Sequence, residues 1–394
     1  MNRHHAAAAA LLALAACGRL ATGDTAAGPA EAAPDSIVHT EVTVARVAHD
    51  RWQVDYRFSR PVDGFALGPV AAQYRSEAWT PATAGVRLVQ RDGEELLVAD
   101  TALRHLRVHV RRYTRFVHDQ YAPMLPFTDG GVALYAGFFT GDALIGGEPA
   151  PTQLSLEYVP LPGERVLTPA GGSADGYAYF GTQDPVQAPH ARLVIDSGTP
   201  AWLRTAMHDV ITRTNTVFAD RLGAEPPMQP LILVGAGDID SADGLSVKGG
   251  AVGDQLVMLL TGRGLREETP PRRAALERLT AHELAHLWQL RGFPNAFNHG
   301  EPWLHEAGIW DSAQVRAFAE RAATQCQTTL DGRTLAAAVH AGAFDAAYSC
   351  GFGLFWDAAD PDPIGLWERL ARAVTANGAS FESMLLDRVR AAGG

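Results

Sequence analysis

Two histidines four residues apart, with a carboxylate beside the first, form the segment His282-Glu283-Leu284-Ala285-His286. On an α-helix of 3.6 residues per turn, both imidazoles lie on one face, where their ring nitrogens can reach a single ion. That is half of a tetrahedral zinc site. Zinc held by three protein ligands keeps a fourth position for water, so the pattern calls for one more ligand and a base. Glu306 is the expected ligand. Glu283 is the expected base, because adjacent side chains on a helix diverge by about 100° and it cannot readily share the ion with His282. It can instead face a bound water and take its proton.

The elements that must position these groups can be read from their surroundings. Pro270-Pro271 supplies a helix start, Ala274, Leu276, Leu279, Leu284, Leu287 and Leu290 follow as an apolar stripe, and Gly292 and Pro294 stop it. After a loop with Pro294, Asn295, Asn298 and Gly300, a second helix is expected from near Pro302, carrying Trp303, Leu304, His305, Glu306, Ala307 and Ile309. Helices joined in this way usually pack antiparallel, which brings Glu306 back towards the histidines.

With 394 residues the chain can build two cores, and 47% apolar with 20% charged residues is a globular composition. A formal charge of −11, with Lys248 the sole lysine, argues against electrostatic capture of nucleic acid, so no nucleic-acid partner is expected.

Residues 1–16 read as a signal peptide: Arg3, His4 and His5 precede the apolar run Ala6 to Ala16, too short for a permanent bilayer span. Leu14-Ala15-Ala16-Cys17 resembles a bacterial lipobox, which implies lipidation of Cys17 and a membrane anchor. Gly18 follows where some bacteria place an inner-membrane retention Asp, so a lipid-anchored place in the bacterial cell envelope, with the outer membrane favoured, is expected. Residues 17–35 then form the lipidated N-terminus and a flexible linker. An exported compartment permits a disulfide between the remaining cysteines, Cys326 and Cys350, with two free thiols as the alternative.

Residues 36–168 read as an all-β, sandwich-like domain. Val38, Thr40, Val42 and Val44 alternate with polar residues, as do Trp52, Val54, Tyr56 and Phe58. Further strands are expected at Val86 to Val89, Glu95 to Val98, Leu106 to Val110, Val132 to Phe139 and Leu154 to Tyr158. His105, His109 and His118 fall here and read as solvated or cross-strand side chains. After a Gly171-Gly172 hinge, residues 175–394 combine strands at Leu193 to Ile195, Leu231 to Val234 and Leu256 to Leu260 with a helix from Pro200 to Leu222 and a helical remainder. The fold class is therefore α+β.

His282 to Trp288 (HELAHLW) followed by Trp303-Leu304-His305-Glu306-Ala307 resembles the gluzincin metallopeptidases, particularly the aminopeptidase N family. In that family the motif is followed after 18 residues by the glutamate of a WLNEG segment, the third zinc ligand; here the gap from Leu287 to His305 is 19. The resemblance implies a thermolysin-like catalytic domain over residues 175–394, one zinc ion on His282, His286 and Glu306, and a peptide or protein substrate. Glu301 and His299 are the rival third ligands. It further implies that Tyr348, in Tyr348-Ser349-Cys350-Gly351, stabilises the developing oxyanion. Gly249 and Gly250 match the family's GxMEN edge strand, where substrate backbone would pair. The glutamate of that segment is missing here and Asp254 falls later, so aminopeptidase and endopeptidase action both stay open. The competing class is a non-catalytic binding lipoprotein of the same fold, and a zinc hydrolase with a non-peptide substrate is a third reading.

Overall fold

The computed structural model describes residues 37–68, 71–115, 122–169, 175–222, 229–241, 243–244, 246–288, 301–330 and 332. The expected signal peptide, Cys17 and its linker, His118, the Gly171-Gly172 hinge, His299, Tyr348 and Cys350 lie outside the described residues. The described residues divide into two compact units. The first holds those up to Pro185 with Val194–Thr199 and Leu231–Gly264; the second holds Val186–Leu193, those of Pro200–Pro230, and those from Leu265 onward.

The first unit is built from strands. β1 (Val38–Ala48) buries Val38, Thr40, Val42, Val44 and Arg46 and turns the residues between them outward, as its period of two requires. It pairs antiparallel with β2 (Arg51–Leu67), which pairs antiparallel with β5 (Glu94–Arg111). β3 (Trp79–Pro81), β4 (Val86–Arg91), β8 (Gly141–Ile145), β9 (Glu148–Ala150) and β10 (Thr152–Val159) complete an eight-stranded sheet of order β10-β1-β2-β5-β3, with β4 on β5, β8 on β2 and β9 on β8. The β1–β10 pairing is parallel. A second sheet, in the order β11-β12-β7-β6, comprises β6 (Met124–Pro126), β7 (Val132–Tyr135), β11 (Arg165–Leu167) and β12 (Tyr177–Gly181).

Both sheets contribute to one apolar core, in which Trp52, Tyr56, Phe65 and Val108 join Leu134, Tyr177, Tyr179 and Phe180. Each such side chain contributes on the order of 2–3 kcal/mol through removal from water. Two features depart from the expectation. The strand over Val132 to Phe139 stops at Tyr135, and Ala136–Phe139 forms a 3-10 turn. A Cβ at Gly137 would lie 2.6 Å from the Tyr135 ring, and Thr140 returns its N–H and hydroxyl to the Gly137 carbonyl. The second is an unforeseen helix, α1 (Ala72–Ala78), which places Arg75 fully inside the core. Arg75 pairs with the buried Glu95 at 2.5 Å, donates to the Phe138 carbonyl at 2.9 Å and lies over the rings of Trp79 and Phe138.

The same unit holds β15 (Leu231–Asp238), β16 (Ser246–Val252) and β17 (Gln255–Thr261), with β15 parallel and β16 antiparallel to β17. Asp196 is fully buried beside them. Its carboxylate accepts from the N–H groups of Thr128 at 2.8 Å, Gly198 at 3.0 Å and Ala236 at 3.0 Å and from the Thr128 hydroxyl, which satisfies a charge that would otherwise be costly to bury.

In the second unit, β13 (Val186–Ala188) forms a hairpin with the first residues of β14 (Ala191–Ile195). Four helices follow: α2 (Ala201–Leu222), α3 (Pro270–Trp288), α4 (Glu301–Glu306) and α5 (Ser312–Leu330). α2 buries Leu203, Ala206, Met207, Val210, Ile211, Thr214 and Phe218, the three- and four-residue spacing of one helix face. The region expected as one catalytic domain from residue 175 is thus shared between the two units. Among the described residues no helix is long and apolar enough to cross a membrane.

Candidate metal centre

α3 opens at Pro270, where a missing N–H costs nothing, and carries both histidines in its last two turns. Its inner face is Leu276, Glu277, Thr280, Ala281, Leu284, Ala285 and Trp288, again at helical spacing. This is wider and more polar than the leucine stripe in the sequence: the Thr280 hydroxyl turns back onto the Leu276 carbonyl at 2.8 Å, and Glu277 accepts from the Trp310 indole N–H at 3.0 Å. Burial, opposed by the hydrogen bond from Trp310 and by Arg273, holds the Glu277 carboxyl above its ordinary range.

His282 and His286 are half-buried, and their Nε2 atoms lie 3.2 Å apart with the rings 83° from coplanar. Two nitrogens on a tetrahedral zinc ion at 2.0–2.1 Å would be separated by about 3.3 Å. The separation of the pair matches that spacing. Glu283 is buried, at 5% exposure, next to that pair in sequence.

Glu306 is the last residue of α4, one turn shorter than expected. The helix stops there because Gly308 takes a left-handed φ of +64° and the N–H groups of Ile309 and Trp310 fold back onto the Leu304 carbonyl, leaving Ala307 and Ile309 outside it. The Glu306 carboxylate accepts from Arg221 Nε at 2.8 Å and from Nη2 of the same guanidinium, both through Oε1. Among the described residues no three His, Cys, Asp or Glu side chains form a metal-binding group, so the structure brings the two histidines together and leaves Glu306 on Arg221.

One helix braces both the end of α3 and α4. On α2, Asn215 accepts from the Trp288 indole N–H at 3.0 Å and donates to the Pro189 carbonyl at 3.1 Å. Phe218 stacks on Trp288 and lies 4.1 Å from the Trp303 ring, centroid to centroid. Arg213 and Arg221, eight residues apart on the same helix, reach the Ala307 carbonyl and Glu306. The signal in the sequence was the polar residues interrupting the apolar face of α2, which a search for ligand types passes over.

Farther on, Asp311 and Gln314 exchange side-chain to backbone hydrogen bonds of 2.8 Å and start α5. Cys326 on that helix is disulfide-bonded. Gly249 and Gly250 lie on β16, which ends its sheet and pairs only with β17 among the described strands. A Cβ at Gly250 would meet nothing within 4 Å. Asp254 sits in the turn that joins these strands, where Gly253 has a φ of +58°. β16 belongs to the first unit and the histidine helix to the second. In the β-domain, His105 is bound to Asp55 at 2.7 Å, the cross-strand role expected of it.

Against solved structures, the chain aligns with an aminopeptidase N family protein from Idiomarina loihiensis at a TM-score of 0.50 and 13% identity, covering 88% of this chain and 72% of that one. The two share a fold. An M1 zinc metallopeptidase from Deinococcus radiodurans aligns at a TM-score of 0.41 and 14% identity, covering 89% of this chain and 92% of the other. No protein family's sequence model matches the chain, and no curated protein matches it.

Proposed function

We propose that this chain is a zinc-dependent peptidase that hydrolyses peptide bonds with Glu283 as general base. The observation that carries the reading is the 3.2 Å separation of the His282 and His286 Nε2 atoms, the chord of a tetrahedral zinc site. His282, His286 and Glu306 would hold the ion. Zinc bound there supplies a water of lowered pKa and polarises the scissile carbonyl. Glu283 takes the proton of the attacking water and returns it to the leaving amine nitrogen. Tyr348 donates its hydroxyl to the developing oxyanion, and Gly249 and Gly250 let substrate backbone approach the edge of β16.

On the same reading Cys17 carries the lipid that anchors the protein in the cell envelope, at the outer membrane, Cys326 pairs with Cys350, and nucleic acid is not a partner. Incubating the zinc-loaded protein with a mixed peptide pool and mapping products by mass spectrometry tests the activity. Chelator-sensitive cleavage is expected, and the product ends separate trimming from internal cutting. A metal-loaded protein that cuts nothing would instead be the binding lipoprotein, the reading favoured by the engagement of Glu306 with Arg221. Hydrolysis of a non-peptide bond alone would move the chain to another class of zinc hydrolase.

A further inference from the structure

We infer that β10 (Thr152–Val159) is an interaction edge, and that its occupant is the β10 of a second copy of this chain, paired antiparallel about a two-fold axis. β10 closes one side of the eight-stranded sheet: it pairs with β1, and no described strand pairs on its other side. Its register with β1 runs unbroken from Val38 opposite Thr152 to Ala45 opposite Val159, so its outward N–H and C=O groups form a regular row. Folded proteins blunt such edges by shortness, charge or bulges. The other edge strands described do so: β3, β6, β9, β11 and β13 have three residues each, β4 carries Arg87 and Arg91, and β16 carries Lys248. β10 has eight residues, one charge, Glu157, and no bulge against β1.

Burial falls away towards this edge. On the core face of β1, Val38, Val42 and Val44 are at most 1% exposed, whereas Leu154, Leu156 and Tyr158 on the same face of β10 are only partly buried. On the opposite face Val159 is exposed, and so is Val47, two residues beyond Ala45, the partner of Val159. A second copy covers both the open row and the half-covered side chains. With the two-fold axis perpendicular to the sheet, core-face residues oppose core-face residues, which limits the registers. Pairing Leu154 with Leu156 sets Ser155 opposite itself and Glu157 opposite Gln153; pairing Leu154 with Tyr158 sets Leu156 opposite itself and Glu157 opposite Ser155. In both, the single charge of the strand meets a neutral side chain, and no like charges oppose each other.

Sedimentation velocity of the full chain over a concentration series tests this, with hydrogen exchange of residues 152–159 reporting the site. A dimer forming in the micromolar range is expected, as suits a small interface. The β10 amides should exchange more slowly as it forms, while those of β4 do not change. Ser155→Glu, at an exposed position, sets carboxylate against carboxylate in either register and should weaken dimerisation about fivefold or more. Val186→Glu, which replaces an exposed valine on another sheet, should leave it unchanged. A chain that stays monomeric into the millimolar range overturns the inference. So does a dimer that Ser155→Glu leaves intact, or a β10 whose amides are protected equally at every concentration, since its edge is then covered within one chain. If Ser155→Glu does not fold, the concentration dependence of β10 exchange in the wild type decides, and its absence contradicts the pairing.

Discussion

The rings of Phe218 and Trp288 lie 5.4 Å apart and 15° from parallel, and this contact joins α2 to the end of the histidine helix. Trp288 also gives its N–H to Asn215 and meets His190 edge-on, so the last turn of α3 is fixed on three sides. Phe218→Ala should destabilise the protein by about 3–5 kcal/mol, as for other fully buried aromatics. Urea unfolding curves of the variant and wild type check it. A loss below about 1 kcal/mol would mean that the stack does not hold the helix.

Glu283 is asked to move a proton without binding the ion. Glu283→Gln keeps the shape of the side chain and removes its basicity, so zinc content should be unchanged while turnover falls by a factor of about 10² or more. Zinc analysis and initial rates on a cleaved peptide test both parts. Normal turnover by Glu283→Gln would remove Glu283 from the mechanism.

The β-domain carries an acid-sensitive element in Asp55. Burial alone would raise its pKa, but hydrogen bonds from Arg107, Gln53 and His105 outweigh it and bring the net value below the ordinary carboxylate range. The unfolded chain then holds that proton more tightly than the folded one. Stability from this group is fully present above the unfolded pKa of about 3.9 and is lost as pH falls through the lower folded value. Asp55→Asn should flatten the acid limb of stability below about pH 4 relative to the wild type, measured by urea unfolding at a series of pH values. An unchanged acid limb would show that Asp55 is not among the groups that shape it.

Cys326 is already in a disulfide, and pairing with Cys350 would close a loop worth about 3 kcal/mol in the unfolded-chain model. Non-reducing peptide mapping should recover the Cys326 and Cys350 peptides as one linked species that separates on reduction. Recovery of Cys326 linked to anything else would refute the pairing.

The strands were legible where one face is buried and the other wet. Val38 to Val44 alternate because β1 buries one face of its sheet, and Trp52 to Phe58 alternate in residue type although Asp55 among them is buried as well. The fully buried turn after Tyr135 was not, since Phe138 and Phe139 continue the apolar run of the strand before it. Nor was α1, whose seven residues are too few to show a period and whose Arg75 meets Glu95 and the Phe138 carbonyl only once distant parts of the chain have come together. The histidine helix was read correctly from Pro270 to its last turn, because ligand spacing and helical period coincide there. What supports it was hidden: Asn215, Phe218 and Arg221 belong to a helix more than fifty residues earlier, and no local pattern relates them to Trp288 or Glu306.

The zinc content of the native, purified chain tests the central claim most directly, measured by elemental analysis before and after stripping and reconstitution. One zinc per chain, retained by Glu283→Gln and lost when His282 or His286 is replaced by Ala, is the predicted result. A wild-type protein that contains no zinc and takes none up on reconstitution would contradict it.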